Sequence, residues 1–206
     1  MFVLTQHIGF CSGEDGLCNT FPTLNPSDKG ADFTLSGGDL TFSHSGVNNG
    51  LCRATHGSAT KDYYFELVFN TSPSDRTGVG VAVAAVSTSV DFNTASLGDY
   101  CCGIVWNTTG WQFYSEGQTG SSGSFTGATG DVFGVYVRNS TDEILFYHQG
   151  SLIATEGLPN SGVGTWFPTV SDQTGASDGP ATIKFDPDSW AQTPAGITAG
   201  NALCAS

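Results

Sequence analysis

Four histidines are the side chains best suited to general base catalysis, because imidazole exchanges a proton near neutral pH. They are His7, His44, His56 and His148. A hydrolytic triad would have to bring one of them together with a serine and an aspartate, and none of the four lies in a nucleophile-elbow context. His44 and His148 fall at the ends of predicted strands, where we expect them at the surface. The sequence therefore predicts a protein that is not an enzyme.

Aspartates suggest two further kinds of site. Paired carboxylates could hydrolyse a glycoside, but the loop aspartates are explained more simply as solvated turn formers: Asp15, Asp75, Asp99, Asp142 and Asp172. A second group near the C-terminus could supply oxygen ligands to calcium: Asp172, Asp178, Asp186 and Asp188. The spacing of an EF-hand is absent. We therefore expect no resident metal and no cofactor.

An aromatic cluster near the middle of the chain could hold a sugar by stacking. Trp111, Phe113 and Tyr114 lie close together in the sequence. Successive side chains of a strand point to opposite faces, so at least one of the three belongs to the core. We expect the cluster to combine packing with ligand contact.

Six cysteines occur without the paired Cys-x-x-Cys spacing of a zinc site. Cys101 and Cys102 are adjacent in a strand-like run, so one of them should point into the core as a small apolar side chain. Cys11 and Cys18 bracket a short loop and form the best disulfide candidate under oxidising conditions. Most of the cysteines are expected to be unpaired.

Composition and charge exclude several classes of function. Charged residues make up 12% of the 206 residues, about half the usual fraction. The net charge of −13 would repel a phosphate backbone, so nucleic acid is not expected as a partner. No apolar run approaches the roughly 20 residues of a membrane-spanning helix, so membrane insertion is not expected either.

Short apolar runs that end at Gly, Asn, Asp or Ser dominate the chain, a pattern typical of strands joined by turns. In one of them Tyr63, Phe65, Leu67 and Phe69 fall on the same face. Ten strands are predicted, at residues 39–43, 62–69, 78–86, 100–106, 110–114, 132–137, 143–147, 151–154, 166–171 and 181–185. This number, with local connections, indicates an all-β fold with two antiparallel sheets in a β-sandwich.

The two ends of the chain differ from the middle. Residues 1–20 differ from the rest of the chain in sequence pattern and are predicted to form an arm or cap. This leaves residues 21–206 as the sandwich domain. Residues 187–206 contain two prolines and no clear alternation. We expect this tail to wrap the surface of the sandwich.

Five stretches, taken in order, resemble the SPRY (B30.2) domain. They are residues 63–67 (Tyr-Tyr-Phe-Glu-Leu), 79–82 (Val-Gly-Val-Ala), 130–137 (Gly-Asp-Val-Phe-Gly-Val-Tyr-Val), 144–150 (Ile-Leu-Phe-Tyr-His-Gln-Gly) and 166–171 (Trp-Phe-Pro-Thr-Val-Ser). The resemblance implies a concanavalin-like jelly roll that binds partners through loops at one end. Gln149 replaces an Asn that is common in the family. Gly134 should leave room for a large neighbour on the facing sheet.

A narrower resemblance joins both ends of the domain to SPRY-containing virion proteins of tailed bacteriophages. It covers residues 21–30, 34–41, 185–190, 193–196 and 202–204. It implies a protein of the virion surface, assembled in the host cytoplasm, as a capsid decoration or as a tail or fibre component. The implied partners are other virion proteins and further copies of this chain.

Polar loops at one end of the sandwich form the predicted binding face, since loops on a rigid scaffold commonly carry binding. The loops are residues 72–76, 87–97, 107–110, 117–129 and 172–179. The residues predicted to bind there are Asp75, Arg76, Asn93, Asn107, Thr108, Trp111, Gln118, Ser121 and Ser122.

Two hypotheses about function stay open at this point. In the first, the protein is a structural virion component whose first twenty residues pack against a capsid or tail lattice. In the second, it is a receptor-binding adhesin that recognises a glycan or a protein on the host surface. A decoration protein can also adhere, so the two are compatible.

Overall fold

The computed structural model describes residues 20–72, 76–107, 109–159, 164–173 and 180–205. The strands of this part are β1 (Leu24–Lys29), β2 (Phe33–Ser36), β3 (Thr41–His44), β4 (Gly50–Ala54), β5 (Tyr63–Phe69), β6 (Gly78–Ala82), β7 (Cys101–Asn107), β8 (Gly110–Ser115), β9 (Gln118–Ser124), β10 (Val132–Arg138), β11 (Glu143–His148), β12 (Ser151–Gly157), β13 (Phe167–Asp172) and β14 (Ala181–Lys184). Two short 3₁₀ helices follow, Pro187–Ser189 and Ala199–Asn201. No helix within the described ranges is long and apolar enough to span a membrane.

The strands form two sheets of seven strands each. The first sheet has the order β1-β4-β13-β6-β7-β8-β9, and the second has the order β12-β11-β10-β5-β14-β3-β2. Neighbouring strands are antiparallel in both sheets. The predicted two-sheet antiparallel sandwich is confirmed, and each of the ten predicted strands overlaps an observed one.

Four observed strands, β1, β2, β4 and β9, have no counterpart in the prediction. β9 lies inside residues 117–129, which were predicted as a loop. Its polar residues are exposed almost throughout, so it carries no apolar alternation, and pairing with β8 holds it in the sheet. The predicted strand 78–86 ends at Ala82. The chain then turns, with a hydrogen bond of 3.2 Å from Val86 N to Val83 O.

The core lies between the two sheets and is rich in aromatic rings. Tyr63, Phe65, Leu67 and Phe69 of β5 all belong to it, as their alternation predicts. The ring of Trp106 from the first sheet lies 5.2 Å from that of Phe69 and 4.3 Å from that of Phe133, between ring centroids. Burial of each such side chain contributes roughly 1.5–3 kcal/mol to the stability of the fold. Because the three rings come from both sheets, their packing holds the sheets together.

The outer face of β5 is buried as well, because the C-terminal segment covers it. Glu66 is 0% exposed and accepts hydrogen bonds from the backbone N–H groups of Ala191 (2.6 Å) and Gln192 (2.9 Å). Trp190 packs edge-on against Tyr64 with the ring centroids 4.8 Å apart. The predicted wrapping of the sandwich by residues 187–206 is confirmed for residues 187–205.

Gly134 makes room for a neighbour within its own sheet, so the expected contact with the facing sheet is wrong. A Cβ atom at Gly134 would lie 2.2 Å from Tyr64 Oη. Gly134 pairs with Glu66 in the neighbouring strand β5, and Tyr64 is two residues away. The ring of Tyr64 therefore lies diagonally over β10, on the face covered by the C-terminal segment.

The described cysteines divide into two groups. Cys52, Cys101 and Cys102 are free and buried, whereas Cys204 is disulfide-bonded. Burial raises the pKa of the Cys52 and Cys101 thiols to about 12, so neither is a reactive thiolate near neutral pH. Cys101 and Cys102 are both 0% exposed, although only one was expected inside. The candidate pair Cys11–Cys18 and the predicted arm, apart from Thr20, lie outside the described residues.

The loop of residues 83–100, between β6 and β7, crosses the outer face of the first sheet. Its Phe92 is 0% exposed and rests on glycine positions of the strands below. A Cβ atom at Gly103 would lie 2.5 Å from Phe92 Cε2, and one at Gly78 would lie 3.1 Å from Phe92 Cδ2. The glycines thus let the loop lie close to the sheet, which buries Val83 and Val86 and explains why both faces of this sheet are apolar there.

Candidate binding groove

A groove lies on the outer face of the first sheet, beside the 83–100 loop. Its volume is about 340 Å³. The polar side chains that line it are Arg76, Asn93, Gln112, Tyr114 and Gln173. They come from the segment before β6, from the loop, from β8 and from the residue after β13. The groove is therefore assembled by the fold from four segments that are distant in sequence.

Alternation along β8 decides which of its side chains reach the groove. Gln112 and Tyr114 line it. Trp111 and Phe113 point the other way, into the core, where they are 7% and 3% exposed. This face of β8 thus presents one amide and one phenol, on the strand next to the edge strand β9.

Asp91 fixes the wall that the loop provides. It is 0% exposed, and its Oδ1 accepts hydrogen bonds from Asn93 N (2.7 Å), Thr94 N (2.8 Å) and Gln173 Nε2 (3.2 Å). Burial raises the pKa of Asp91, and these hydrogen bonds oppose the increase. The carboxylate therefore positions Asn93 and Gln173, two lining residues from different elements.

Gln112 is fixed from the opposite side. Its Nε2 donates to Gly120 O (2.8 Å) and Ser121 O (3.0 Å) of β9, where the register between β8 and β9 shifts. The side-chain amide of Gln112 thus hydrogen-bonds to the backbone of β9 at the point where the regular pairing of β8 and β9 is interrupted. Because its nitrogen is engaged by β9, its oxygen is the atom left to accept a hydrogen bond in the groove.

Arg76 supplies the positive charge of the lining. Its backbone N–H donates to Trp106 O (2.5 Å), and Trp106 N donates to Thr77 O (2.9 Å), so the β6–β7 ladder continues to this residue. Its φ of 73° lies in the left-handed region that non-glycine residues seldom adopt. Burial raises the pKa of Tyr114, Asp91 adds to the increase, and the Arg76 charge opposes it.

The structure places the predicted binding residues in several different surroundings. Arg76 and Asn93 line the groove. Gln118, Ser121 and Ser122 lie on the exposed edge strand β9, away from it. Trp111 belongs to the core, because its side chain lies on the inner face of β8. Its ring is therefore not available to a ligand. Asn107 ends β7, and Asp75 and Thr108 lie outside the described residues.

Sequence reasoning missed two residues of the groove and misread the role of a third. Gln112 could have been found from alternation, since a residue between two inward aromatic side chains must point outward. Tyr114 was considered only as part of a stacking platform with Trp111 and Phe113. Gln173 lies in the predicted binding loop 172–179 but was not singled out, because its place in the groove depends on a hydrogen bond to Asp91, 82 positions away.

His44 and His148 lie in packed aromatic surroundings. His44 was expected at the surface but is 3% exposed; its ring centroid is 4.8 Å from that of Phe33, and its Nδ1 is 3.5 Å from Asp172 Oδ1. The reason is that its strand end pairs with β2 inside the sandwich. His148 stacks on Phe133 at 4.6 Å between centroids, with its Nε2 3.6 Å from Asp131 Oδ1.

A serine motif has to be considered separately from the histidines. The sequence contains a single Gly-x-Ser-x-Gly run, at residues 175–179, outside the described residues. A nucleophile elbow leads from a strand into a helix. The described strands on either side of this run are β13, which ends at Asp172, and β14, which begins at Ala181.

Among the described residues, the aspartates considered for glycoside hydrolysis or calcium are spread over separate elements of the fold. Asp172 was expected in a loop but ends β13 and is 0% exposed, because the first sheet extends to it. Asp186 caps the first 3₁₀ helix by accepting from Asp188 N (2.9 Å), and Asp178 lies outside the described residues. No three His, Cys, Asp or Glu side chains in the described part of the chain form a cluster that could hold a metal ion.

No family model and no curated protein sequence match this chain. Solved structures do. The SPRY domain of human HERC1 has a TM-score of 0.60 and 20% identity over 78% of this chain and 96% of that chain. The PSpry domain of TRIM65 has a TM-score of 0.58 and 14% identity over 79% of this chain and 89% of that chain.

Stonustoxin is a third neighbour, with a TM-score of 0.62 and 14% identity over 79% of this chain. This chain spans 28% of the length of the stonustoxin chain. None of the three neighbours is named as a bacteriophage protein. Together they show a SPRY-like fold, in agreement with the architecture predicted from the sequence.

Proposed function

We propose that this chain is a binding domain without catalytic activity, which holds an extended segment of a partner protein in the groove beside the 83–100 loop. One observation carries the proposal. Part of the polar lining is fixed before any ligand arrives, since Asp91 holds the backbone of Asn93 and the side-chain amide of Gln173, and β9 holds the side-chain amide of Gln112. Side chains that are already ordered lose little entropy when they bind.

The size and place of the groove support the same function. A volume of about 340 Å³ lies at the lower end of the range of ligand pockets and suits a few side chains of a peptide. The groove lies where β7 ends and β6 begins, beside loops. SPRY domains, which the sequence resembles, generally bind partners through loops at one end of the sandwich.

The setting proposed for this binding is the surface of a bacteriophage virion, as a capsid decoration or as a tail or fibre component. Its support is the resemblance of residues 21–41 and 185–204 to SPRY-containing phage proteins, together with the low charged fraction of 12%. The partner would then be another virion protein, and the predicted arm would contact the lattice. Imaging of intact particles and measurement of the copy number of this chain test the setting.

A second candidate function is that of an adhesin for a glycan or protein on the host surface. A glycan array and a binding assay on susceptible cells test it with the isolated chain. Deletion of residues 1–20 separates the two roles: a lattice anchor predicts loss of incorporation into particles with unchanged binding to cells. Unchanged incorporation of the shortened chain would remove the arm as the anchor.

The groove itself is tested with a displayed library of random linear peptides selected on the wild-type chain. We expect recovered peptides to lose binding to Asn93→Trp, which fills the rim at an exposed position. They should keep binding to Thr155→Ala, an exposed control on β12 of the other sheet. Absence of peptides that distinguish the two variants would refute the proposed function.

A further inference from the structure

We infer that the N-terminal arm binds to its own domain: an extended stretch within residues 2–10 docks in an apolar cleft along the edge of β14. The cleft belongs to the second sheet, whereas the binding groove lies on the first. The inference is therefore independent of the proposed binding function. The side of a docked segment that points away from the cleft remains available for contact with a lattice.

The β14 cleft lies between β14 and the segment that leads into β1, and its volume is about 340 Å³. The atoms that line it are mainly apolar, and the apolar residues among them are Phe21, Pro22, Leu40, Ile183 and Phe185. Phe21 and Leu40 are only partly buried and pack against the edge of the core. The cleft therefore offers apolar surface that two or three side chains of an extended segment could cover.

The cleft runs along a free part of the edge of β14. Residues 182–185 all line it, although successive side chains of a strand point to opposite faces, so the opening lies at the edge of the strand. Among the described residues, β3 pairs with β14 only as far as Thr182, and one further hydrogen bond joins Ile183 N to Leu40 O (2.8 Å). Before Leu40 the chain turns at Asp39, whose φ is 62°. An extended segment can add to an edge that is left open in this way.

The arm joins the domain at the wall of this cleft. Thr20 is the first described residue, and Phe21, which follows it, lines the cleft. The position of Thr20 is fixed, because its carbonyl oxygen accepts a hydrogen bond from Ala205 N (3.0 Å). A segment that is attached so close to a site is present there at a high effective concentration, which favours it over a separate partner.

A disulfide points to the same placement of the arm. The chain has six cysteines, of which three are free: Cys52, Cys101 and Cys102. Cys204 is disulfide-bonded, so its partner within the chain is Cys11 or Cys18, in place of the predicted Cys11–Cys18 pair. Cys204 precedes Ala205, the residue that hydrogen-bonds to Thr20. The bond thus holds the arm a few residues away from the β14 cleft.

The composition of the arm matches the cleft. The first ten residues contain no Asp, Glu, Lys or Arg, and their large apolar residues are Met1, Phe2, Val3, Leu4, Ile8 and Phe10. Residues 12–16 (Ser-Gly-Glu-Asp-Gly) are turn formers, so the chain can reverse there and bring residues 2–10 back towards Thr20. The acidic residues of the arm then lie in the turn, outside the apolar cleft.

The test is hydrogen–deuterium exchange of the arm amides in the full, oxidised chain, followed by mass spectrometry. Ser189→Trp places a large ring at the mouth of the cleft, where Ser189 is exposed. Asp188→Trp is the matched control, at an exposed neighbour in the same 3₁₀ helix that does not line the cleft. In the wild-type chain, exchange within residues 2–10 should be slower by about tenfold or more than in the unfolded chain. This protection should be lost in Ser189→Trp and kept in Asp188→Trp.

Two further measurements separate docking from the covalent link. Peptide mapping without reduction should find Cys204 joined to Cys11 or Cys18 of the same chain. In Cys204→Ser, part of the protection should remain, because the cleft still binds the segment. Protection that disappears in Cys204→Ser but is unchanged in Ser189→Trp would show that the disulfide alone holds the arm, and would overturn the docking in the cleft. Thermal unfolding of each variant shows whether it is folded at the temperature of the exchange.

Other outcomes would also contradict the inference. Exchange of residues 2–10 in the wild-type chain at the rate of an unfolded chain would overturn the docking. Protection that increases with protein concentration, together with dimers in light scattering or a disulfide between two chains, would assign the cleft to the arm of a second copy. Peptides selected on the groove should bind Ser189→Trp within about twofold of the wild-type affinity, because the two sites are far apart. Failure of the arm experiment therefore leaves the groove function untouched, and the reverse also holds.

Discussion

Glu66 shows how a buried charge can attach a whole segment to the domain. It is 0% exposed, and it accepts hydrogen bonds from Tyr64 Oη and from the backbone of Ala191 and Gln192. The two N–H groups belong to a segment with little regular structure of its own. A carboxylate that accepts from several donors compensates the cost of its burial, whereas removal of the acceptor leaves the donors unpaired.

Substitution of Glu66 by Ala should therefore destabilise the chain by about 3 kcal/mol, since one buried donor and two partly buried donors lose their acceptor at once. Urea denaturation measures the loss, and limited proteolysis should show earlier cleavage within residues 187–205. Glu143→Ala is the matched control, because Glu143 pairs with Arg138 at side-chain exposures of 36% and 37%. An exposed pair of this kind is worth less than about 1 kcal/mol. Similar losses for the two variants would contradict the anchoring role of Glu66.

Asp91 gives a prediction for the dependence of stability on pH. Burial raises its pKa in the folded chain, so the folded state binds the proton more tightly than the unfolded state does. Stability from this group is then lowest above the folded pKa and increases as the pH falls towards the ordinary value of 3.8. Relative to Asp91→Asn, the wild-type free energy of unfolding should rise between pH 7 and pH 4.

Urea denaturation of both proteins at several pH values measures this difference and cancels the contribution of the other carboxylates. Asn retains an oxygen that can accept from Asn93 N and Thr94 N, so the loop geometry is kept as far as possible. A difference that is constant, or that falls as the pH is lowered, would show that Asp91 is not destabilised by its burial.

At the scale of the elements, a strand can be predicted from the sequence when its buried face appears as an alternation of apolar residues. β5 was predicted with its inward residues because its aromatic side chains alternate. β9 was missed because an exposed edge strand of Gln, Thr, Gly and Ser has no such pattern. The groove was predicted in part: Arg76, Asn93 and Gln173 all lie in polar loops assigned to the binding face, but no local pattern encodes the contact that joins Gln173 to Asp91.

The packing of the 83–100 loop on the sheet can be tested at Gly103. A Cβ atom there would lie 2.5 Å from Phe92 Cε2 and 2.7 Å from Val79 O, so Gly103→Ala should push Phe92 and its loop away from the sheet. Overpacking of this kind costs roughly 1–3 kcal/mol. Because Asn93 follows Phe92, binding of the selected peptides should weaken as well.

Gly157→Ala is the control for that variant, since a Cβ atom at Gly157 would have no neighbour within 4 Å. Denaturation and peptide titration of the two variants are compared. Loss of stability in Gly103→Ala with unchanged peptide binding would show that the groove does not depend on how closely the loop packs on the sheet.

At the scale of the whole molecule, the two outer faces of the sandwich have different tasks. The outer face of the second sheet is covered at β5 by the C-terminal segment, through Glu66 and Tyr64. Within the described residues, the 83–100 loop covers part of the outer face of the first sheet, and the groove lies beside it. The aromatic cluster around Trp106 connects both sheets. The described scaffold thus carries its own C-terminal segment on one outer face and the candidate groove on the other.

Net charge governs how the molecule behaves towards further copies of itself. At −13 and a sequence pI near 4.2, copies repel one another near neutral pH. In the described part of the chain the large apolar side chains that are clearly exposed are Val47, Leu97 and Leu152. Because these are few, we expect the net charge to determine whether copies associate. Static light scattering should show growing self-association as the pH falls from 7 towards 4.2. At pH 7, added salt should act in the same direction by screening. Stronger association at pH 7 in low salt than near pH 4.2 would instead reveal an interface between copies that overcomes the repulsion.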